Sequence, residues 1–334
     1  MKPGVLIAAL ACLCEGVLAQ SAYLPHRVFA AATGVFADFE TMLASLASAD
    51  VVLVGEQHDD PNTHRLQLAL LEGLGRRRTG LVLSLEMFER DVQESLDHFA
   101  TGHLPEAEFL KVARPWPRYT TDYKPLVDLA IEHQWPVVAA NLPRPLASEI
   151  ARSGLAALAA KTGDDRRLGA RDLQCPTTDE YYARFAKTME GHTTSAAATG
   201  TAGSAPTTPA AAATPAAGTA GATRAAGSRA TVAGEGMTSR FYEAQCAKDE
   251  TMAESIASAW AAAGTGGTSP LVVHMNGAFH SDFRLGTASR VERRLPGRRV
   301  MVVSVVPVAS LDALAPSPED RRRGDYLIYT IRRP

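Results

Sequence analysis

Short apolar runs recur along the chain, and most of them stop abruptly at a polar residue. Val51-Val52-Leu53-Val54 gives way to Gly55-Glu56, residues 81–85 (LVLSL) to Glu86, residues 136–140 (PVVAA) to Asn141, and Leu271-Val272-Val273 to His274. Residues 300–306 and 326–331 add two further runs. Continuous apolar stretches without alternation suit strands covered on both faces, and hence a largely parallel sheet. Between the runs the apolar spacing is that of helices. Leu66, Ala69, Leu70 and Leu74 form one stripe over 63–74, and Leu126, Leu129 and Ala130 another over 122–133. The alternation predicts an α/β fold, a largely parallel sheet flanked by helices. Residues 95–120 and 145–260 read as helices without intervening strands, which predicts a smaller all-helical subdomain over one sheet edge.

Composition changes this picture at two places. Residues 193–236 are dominated by Thr, Ala, Gly, Ser and Pro with almost no large apolar side chain. Such a segment buries too little surface to offset its chain entropy, so a disordered insertion is expected there. Residues 1–19 read as an export leader, with Lys2, an apolar run over 5–13, and Val17-Leu18-Ala19 before Gln20. The run is interrupted by Glu15 and is too short to cross a bilayer. An alternative start is a lipoprotein, because Cys12 follows Ala9-Leu10-Ala11, which would attach the chain to a membrane by lipid. The mature domain is then 20–334. Net charge is −2 with 34 basic and 36 acidic residues, which argues against a nucleic-acid partner. Arg321-Arg322-Arg323, beside Glu319, Asp320 and Asp325, reads as a solvated, partly neutralised loop. Past the leader only Cys175 and Cys246 remain. Two readings stand open for them, a disulfide flanking the insertion or two buried thiols.

The strand ends carry the candidate chemistry, because ligands of open α/β sheets bind beyond the carboxyl ends of the strands. Glu56 with His58, Glu86, Asn141, and His274 with Asn276 and His280 all fall there, and a parallel sheet would gather them at one edge. Asp59 or Asp60 is suited to capping the helix that begins near Pro61. A carboxylate at Glu86 is costly to desolvate unless paired. In His274-Met275-Asn276-Gly277-Ala278-Phe279-His280, Gly277 is read as permitting a sharp turn that aims His280 back at the sheet. Asn141 also reads as a residue that closes a turn. His98, His103 and His133 read as surface residues.

Five stretches resemble the ChaN family of haem-binding, iron-regulated proteins within the Tiki and erythromycin-esterase-like superfamily: 54–59 (VGEQHD), 84–88 (SLEMF), 136–143 (PVVAANLP), 241–253 (FYEAQCAKDETMA) and 274–280 (HMNGAFH). The resemblance implies an exported bacterial protein, periplasmic or associated with the outer membrane, that handles haem in iron uptake. It implies haem at the sheet edge against the helical subdomain, across a homodimer, with a tyrosine on the iron and basic side chains on the propionates. Tyr119, Tyr123, Tyr181, Tyr182 and Tyr242 are the candidate ligands, and His192 is a further contact. An alternative uses the same cleft as a hydrolase, with His58 as general base and Glu86 as its counterpart carboxylate, or with His58, Glu56 and His280 holding a divalent metal that activates water. A third reading, a structural or protein-binding module, expects the strand-end groups not to converge.

Overall fold

The computed structural model describes residues 23–198, 226–267 and 269–332. The expected leader and Cys12 lie outside the described residues, as does 199–225 of the expected insertion. At the insertion's two ends the backbone is helical, the flanking helices reaching Ala198 and starting at Ala226.

Eight strands form one sheet: β1 (His26–Ala30), β2 (Val35–Ala37), β3 (Val51–Glu56), β4 (Leu81–Glu89), β5 (Val137–Asn141), β6 (Leu271–Gly277), β7 (Val300–Val308) and β8 (Tyr326–Ile331), in the order β2-β1-β8-β7-β3-β6-β4-β5. All pairs from β8 to β5 are parallel, as the unbroken apolar runs require. β1 and β2 are antiparallel additions at one edge.

Successive side chains of a strand point to opposite faces, and here each face meets its own helices. Val52, Val54, Leu83, Leu85 and Val273 pack with Leu66 and Leu70 of the helix Pro61–Gly75 and with Leu126 of the helix Lys124–Glu132. Val51, Leu53, Val82, Val272 and Val302 pack with Ile256 of the helix Ala226–Ala263 and Val291 of the helix Gly286–Arg294. Each such aliphatic side chain contributes about 1.5–3 kcal/mol relative to exposure. No described helix is long and apolar enough to cross a membrane.

Two strands run further than their apolar runs. β4 continues through Glu86 to Glu89, and β6 continues through His274 to Gly277. Pairing sets these ends, because Val54, Gly55 and Glu56 lie opposite Met275, Asn276 and Gly277. Cys175 and Cys246 are joined in a disulfide, which decides between the two readings of those thiols.

Candidate functional site

The register explains how distant segments reach one place. Glu56 lies opposite Gly277 across β3 and β6, and Leu85 lies opposite Met275 across β4 and β6. Glu86 therefore arrives beside the same turn.

Glu56 is buried, and its two oxygens are fully used. Oε1 is 2.6 Å from His58 Nδ1 and accepts from the Tyr123 hydroxyl at 2.7 Å, while Oε2 accepts from Gln67 Nε2 at 2.6 Å. Burial opposes its charge, but the His58 bond and the field of His64 outweigh it, so its pKa lies below the usual carboxylate range. Burial likewise opposes charge on His58, and the Glu56 bond reverses that and raises its pKa. The His58 side chain keeps 20% exposure. Its ring meets Trp116 edge-on, with centroids 4.8 Å apart. The helix Pro61–Gly75 begins behind it, with Asp60 Oδ1 accepting from the Asn62 amide at 2.9 Å and Pro61 in the first turn, so Asp60 and not Asp59 is the cap.

Glu86 serves a second histidine. Its Oε2 accepts from the Gly277 amide at 2.7 Å, and its Oε1 is 3.3 Å from His280 Nε2. His280 Nδ1 is 2.7 Å from Asp249 Oδ1, and Asp249 also accepts from Tyr181 at 2.5 Å and Thr287 at 2.8 Å. Burial disfavours charge on His280, yet the flanking carboxylates push its pKa up to about 10. Glu86 is held well below the usual carboxylate range, burial being outweighed chiefly by His280. His280 is thus a buried imidazolium with both nitrogens occupied.

The two glycines three residues before these histidines are there for close approach. A Cβ on Gly277 would lie 2.7 Å from His58 Nε2, and one on Gly55 would lie 3.0 Å from the Ala278 Cα. Gly277 has φ −57° and ψ 137°, a conformation open to any residue. The sharp-turn argument for Gly277 is therefore replaced by a steric one.

The other expected residues divide. His274 lies under the site with Nδ1 2.9 Å from Ser84 Oγ, and burial pulls its pKa down to about 4, so it is neutral. Asn276 Nδ2 donates to Ser281 Oγ at 2.9 Å and the Gly277 carbonyl at 2.8 Å, holding the turn. Asn141 accepts from the Leu142 amide at 2.8 Å and closes its own turn. Tyr119 sits in the core near Phe88. Tyr123 and Tyr181 are engaged by Glu56 and Asp249. Tyr242 and Tyr182 belong to an aromatic cluster with Phe185 and Phe279, and Tyr182 alone of the five is half-buried. His98, His103 and His133 are exposed. The His192 side chain lies outside the described residues. Arg322 and Arg323 pair with Glu180 and Asp282, so this arginine run is more structured than a solvated loop.

Among the described residues no three His, Cys, Asp or Glu side chains are grouped to hold a metal ion. His280 does not fit the proposed metal set, since carboxylates occupy both of its nitrogens. Sequence reasoning missed Asp249 and Gln245. The two are spaced i, i+4 on one helix face, and that spacing within FYEAQCAKDETMA was the available signal.

The fold is similar to a solved structure titled "Cofacial heme binding to ChaN of Campylobacter jejuni", with TM-score 0.59, 16% identity, and coverage of 92% of this chain and 97% of that one. It is also similar to a solved Bacillus cereus protein at TM-score 0.43 and 10% identity, covering 87% of this chain and 90% of that one. No curated protein matches. The sequence model of the family described as haem-binding uptake, Tiki superfamily, ChaN matches residues 42–291. That match spans most of the chain, through both histidine-bearing strand ends and the helix between them, and the chain belongs to the ChaN family.

Proposed function

We propose that this chain binds haem, in the groove between the helix Glu180–Ala198 and the turn after β6. The carrying observation is the groove's lining, found in a chain of a haem-binding uptake family. A cavity of about 340 Å³ is lined by Phe279, Phe283, Arg184, Lys187 and Arg323, with the Arg184 guanidinium 3.5 Å from the Phe283 ring centre, next to Gln57 just after β3. Flat apolar faces suit a porphyrin, and guanidinium or ammonium groups suit its propionates. Bound ferric haem would supply a Lewis-acidic iron that favours a phenolate ligand.

Tyr182, on the helix that borders the groove, is the tyrosine left free for this role, whereas Tyr181 lines the groove itself. The Tyr182 hydroxyl makes no hydrogen bond among the described residues. The Tyr181 hydroxyl is held by Asp249, and burial pushes Tyr242 up to about 12 and Tyr119, Tyr123 and Tyr181 above their ordinary value. A phenol so raised resists becoming a phenolate.

The reading includes export and a role in iron uptake, with a second copy covering the open side of the groove. The Cys175–Cys246 disulfide supports an oxidising compartment. Hemin added to the purified protein is expected to give a shifted Soret band that Tyr182→Phe weakens by roughly 10-fold in affinity, the scale of one lost charge-assisted contact. Absence of any Soret change at micromolar hemin would reject haem binding.

A second reading rests on the Glu56–His58 pair. A carboxylate that fixes Nδ1 leaves the partly exposed imidazole oriented as a general base, with Nε2 beside Gly277. Ester or peptide turnover that disappears in His58→Ala would establish that activity.

A further inference from the structure

We infer that the Cys175–Cys246 pair is a thiol–disulfide exchange site whose co-substrate is a dithiol. This chemistry needs no haem in the groove.

The two sulfurs are placed unequally. Cys175 lies in the loop before the helix Glu180–Ala198, partly buried, with Gln174, Pro176, Thr177 and Thr178 exposed around it. Cys246 lies within the helix Ala226–Ala263 and is fully buried. A thiolate from solution therefore meets Cys175, and Cys246 is the sulfur that leaves.

A fixed cation stands beside the leaving sulfur. Arg290, buried on the helix Gly286–Arg294, brings Nη2 to 3.1 Å from Cys246 Sγ. Its fork is held by Nη1, which donates to the Gly286 carbonyl at 2.8 Å, and by Nε, 3.2 Å from Glu250 Oε1. Nη2 also meets the Gln174 carbonyl at 3.4 Å. Glu250 does not neutralise the cluster, because Arg293 and Arg294 share its Oε2 at 2.6 and 2.5 Å. Exposed Asp172 is 3.8 Å from Arg293, and Asp249, the other anion acting on Arg290, already holds His280, Tyr181 and Thr287.

Three guanidiniums thus converge on one buried carboxylate next to the sulfur. A disulfide sulfur is neutral and a weak acceptor, so Arg290 gains little from it. A thiolate accepts a charge-assisted bond, and a thiol of lowered pKa leaves faster. In the exchange, one thiolate of the dithiol attacks Cys175 Sγ, the S–S bond breaks, and Cys246 departs with the bonding pair as a thiolate facing Arg290. The second thiol of the reagent gives up its proton to water and attacks its own mixed-disulfide sulfur, releasing Cys175, which takes up a proton. The dithiol is oxidised to a disulfide and the protein pair is reduced by the same two electrons.

Dithiothreitol is the probe, used on the full chain carrying Cys12→Ser and Cys14→Ser so that only this pair reports. The wild-type pair is expected to be reduced at neutral pH without denaturant. Arg290→Met should slow that reduction roughly 10-fold, the effect of losing a charge-assisted bond to the leaving thiolate, and Arg290→Lys should keep most of the rate. Cys175→Ser leaves Cys246 unpaired with Arg290 intact, so its ultraviolet thiolate absorbance decides the matter even where Arg290→Met does not fold. Its midpoint is expected below the ordinary thiol value of about 8.5. A wild-type disulfide that dithiothreitol opens only in urea, equal rates in wild type and folded Arg290→Met, or a Cys246 midpoint at or above about 8.5 would each overturn the exchange site.

Discussion

Two glutamate–histidine pairs stand side by side at the sheet edge, and they are built for different work. In the first, Glu56 fixes only Nδ1 of His58, and the ring keeps 20% exposure. In the second, His280 lies between Glu86 and Asp249, both nitrogens taken and almost no surface left. Both histidines are raised in pKa, yet only His58 has a nitrogen free to exchange a proton or meet a ligand. A Gly-x-x-His sequence followed by a carboxylate partner therefore does not define a role. The number of carboxylates on the ring decides it: one orients the imidazole, and two turn it into a fixed cation that holds β4, β6 and the helix Ala226–Ala263 together.

The largest effect expected from this contrast is on stability. Asp249→Asn removes one of two anions from a buried imidazolium and should cost about 3–5 kcal/mol in urea unfolding. Glu56→Gln, whose partners are mostly neutral donors, should cost about 1–3 kcal/mol. Equal costs would erase the distinction.

The next effect is on pH dependence. The folded pKa of His280 is raised to about 10, so its contribution is fully present below the ordinary histidine value and is lost as pH rises through the folded value. The urea midpoint should fall between pH 6.5 and about 10, and His280→Gln should flatten that slope. A wild-type midpoint that is level over this range would mean that His280 is neutral.

The smallest effect is steric. Gly277→Ala should cost about 1–3 kcal/mol by overpacking, and it should displace His58 in NMR titration while leaving His280 protonated. Unchanged His58 resonances would show that the imidazole does not rest on Gly277.

Much of this site was legible because parallel strands have a fixed polarity. Once 51–54, 81–85 and 271–273 read as parallel, their polar ends had to meet, and Glu56, His58, Glu86 and His280 do. Asp249 was not legible in the same way. Its place depends on the rotation of the helix Ala226–Ala263 about its own axis, which tertiary packing sets and a strand pattern does not report. β1 and β2 escaped for another reason. His26-Arg27-Val28-Phe29-Ala30 mixes charge with apolar residues because an edge hairpin has less surface to bury. Asn141 and Asn276 show that polar residues at strand ends also serve to tie off the backbone there.

The bond between Cys175 and Cys246 spans a sequence separation of 71 residues. Everything needed for β1 to β5 precedes that bridge, and everything for β6 to β8 follows it. A peptide bond cut anywhere between the two cysteines would leave a single covalent molecule carrying the whole sheet. Such nicked protein would migrate as one intact band in electrophoresis until a thiol reagent was added, and only then separate into two fragments.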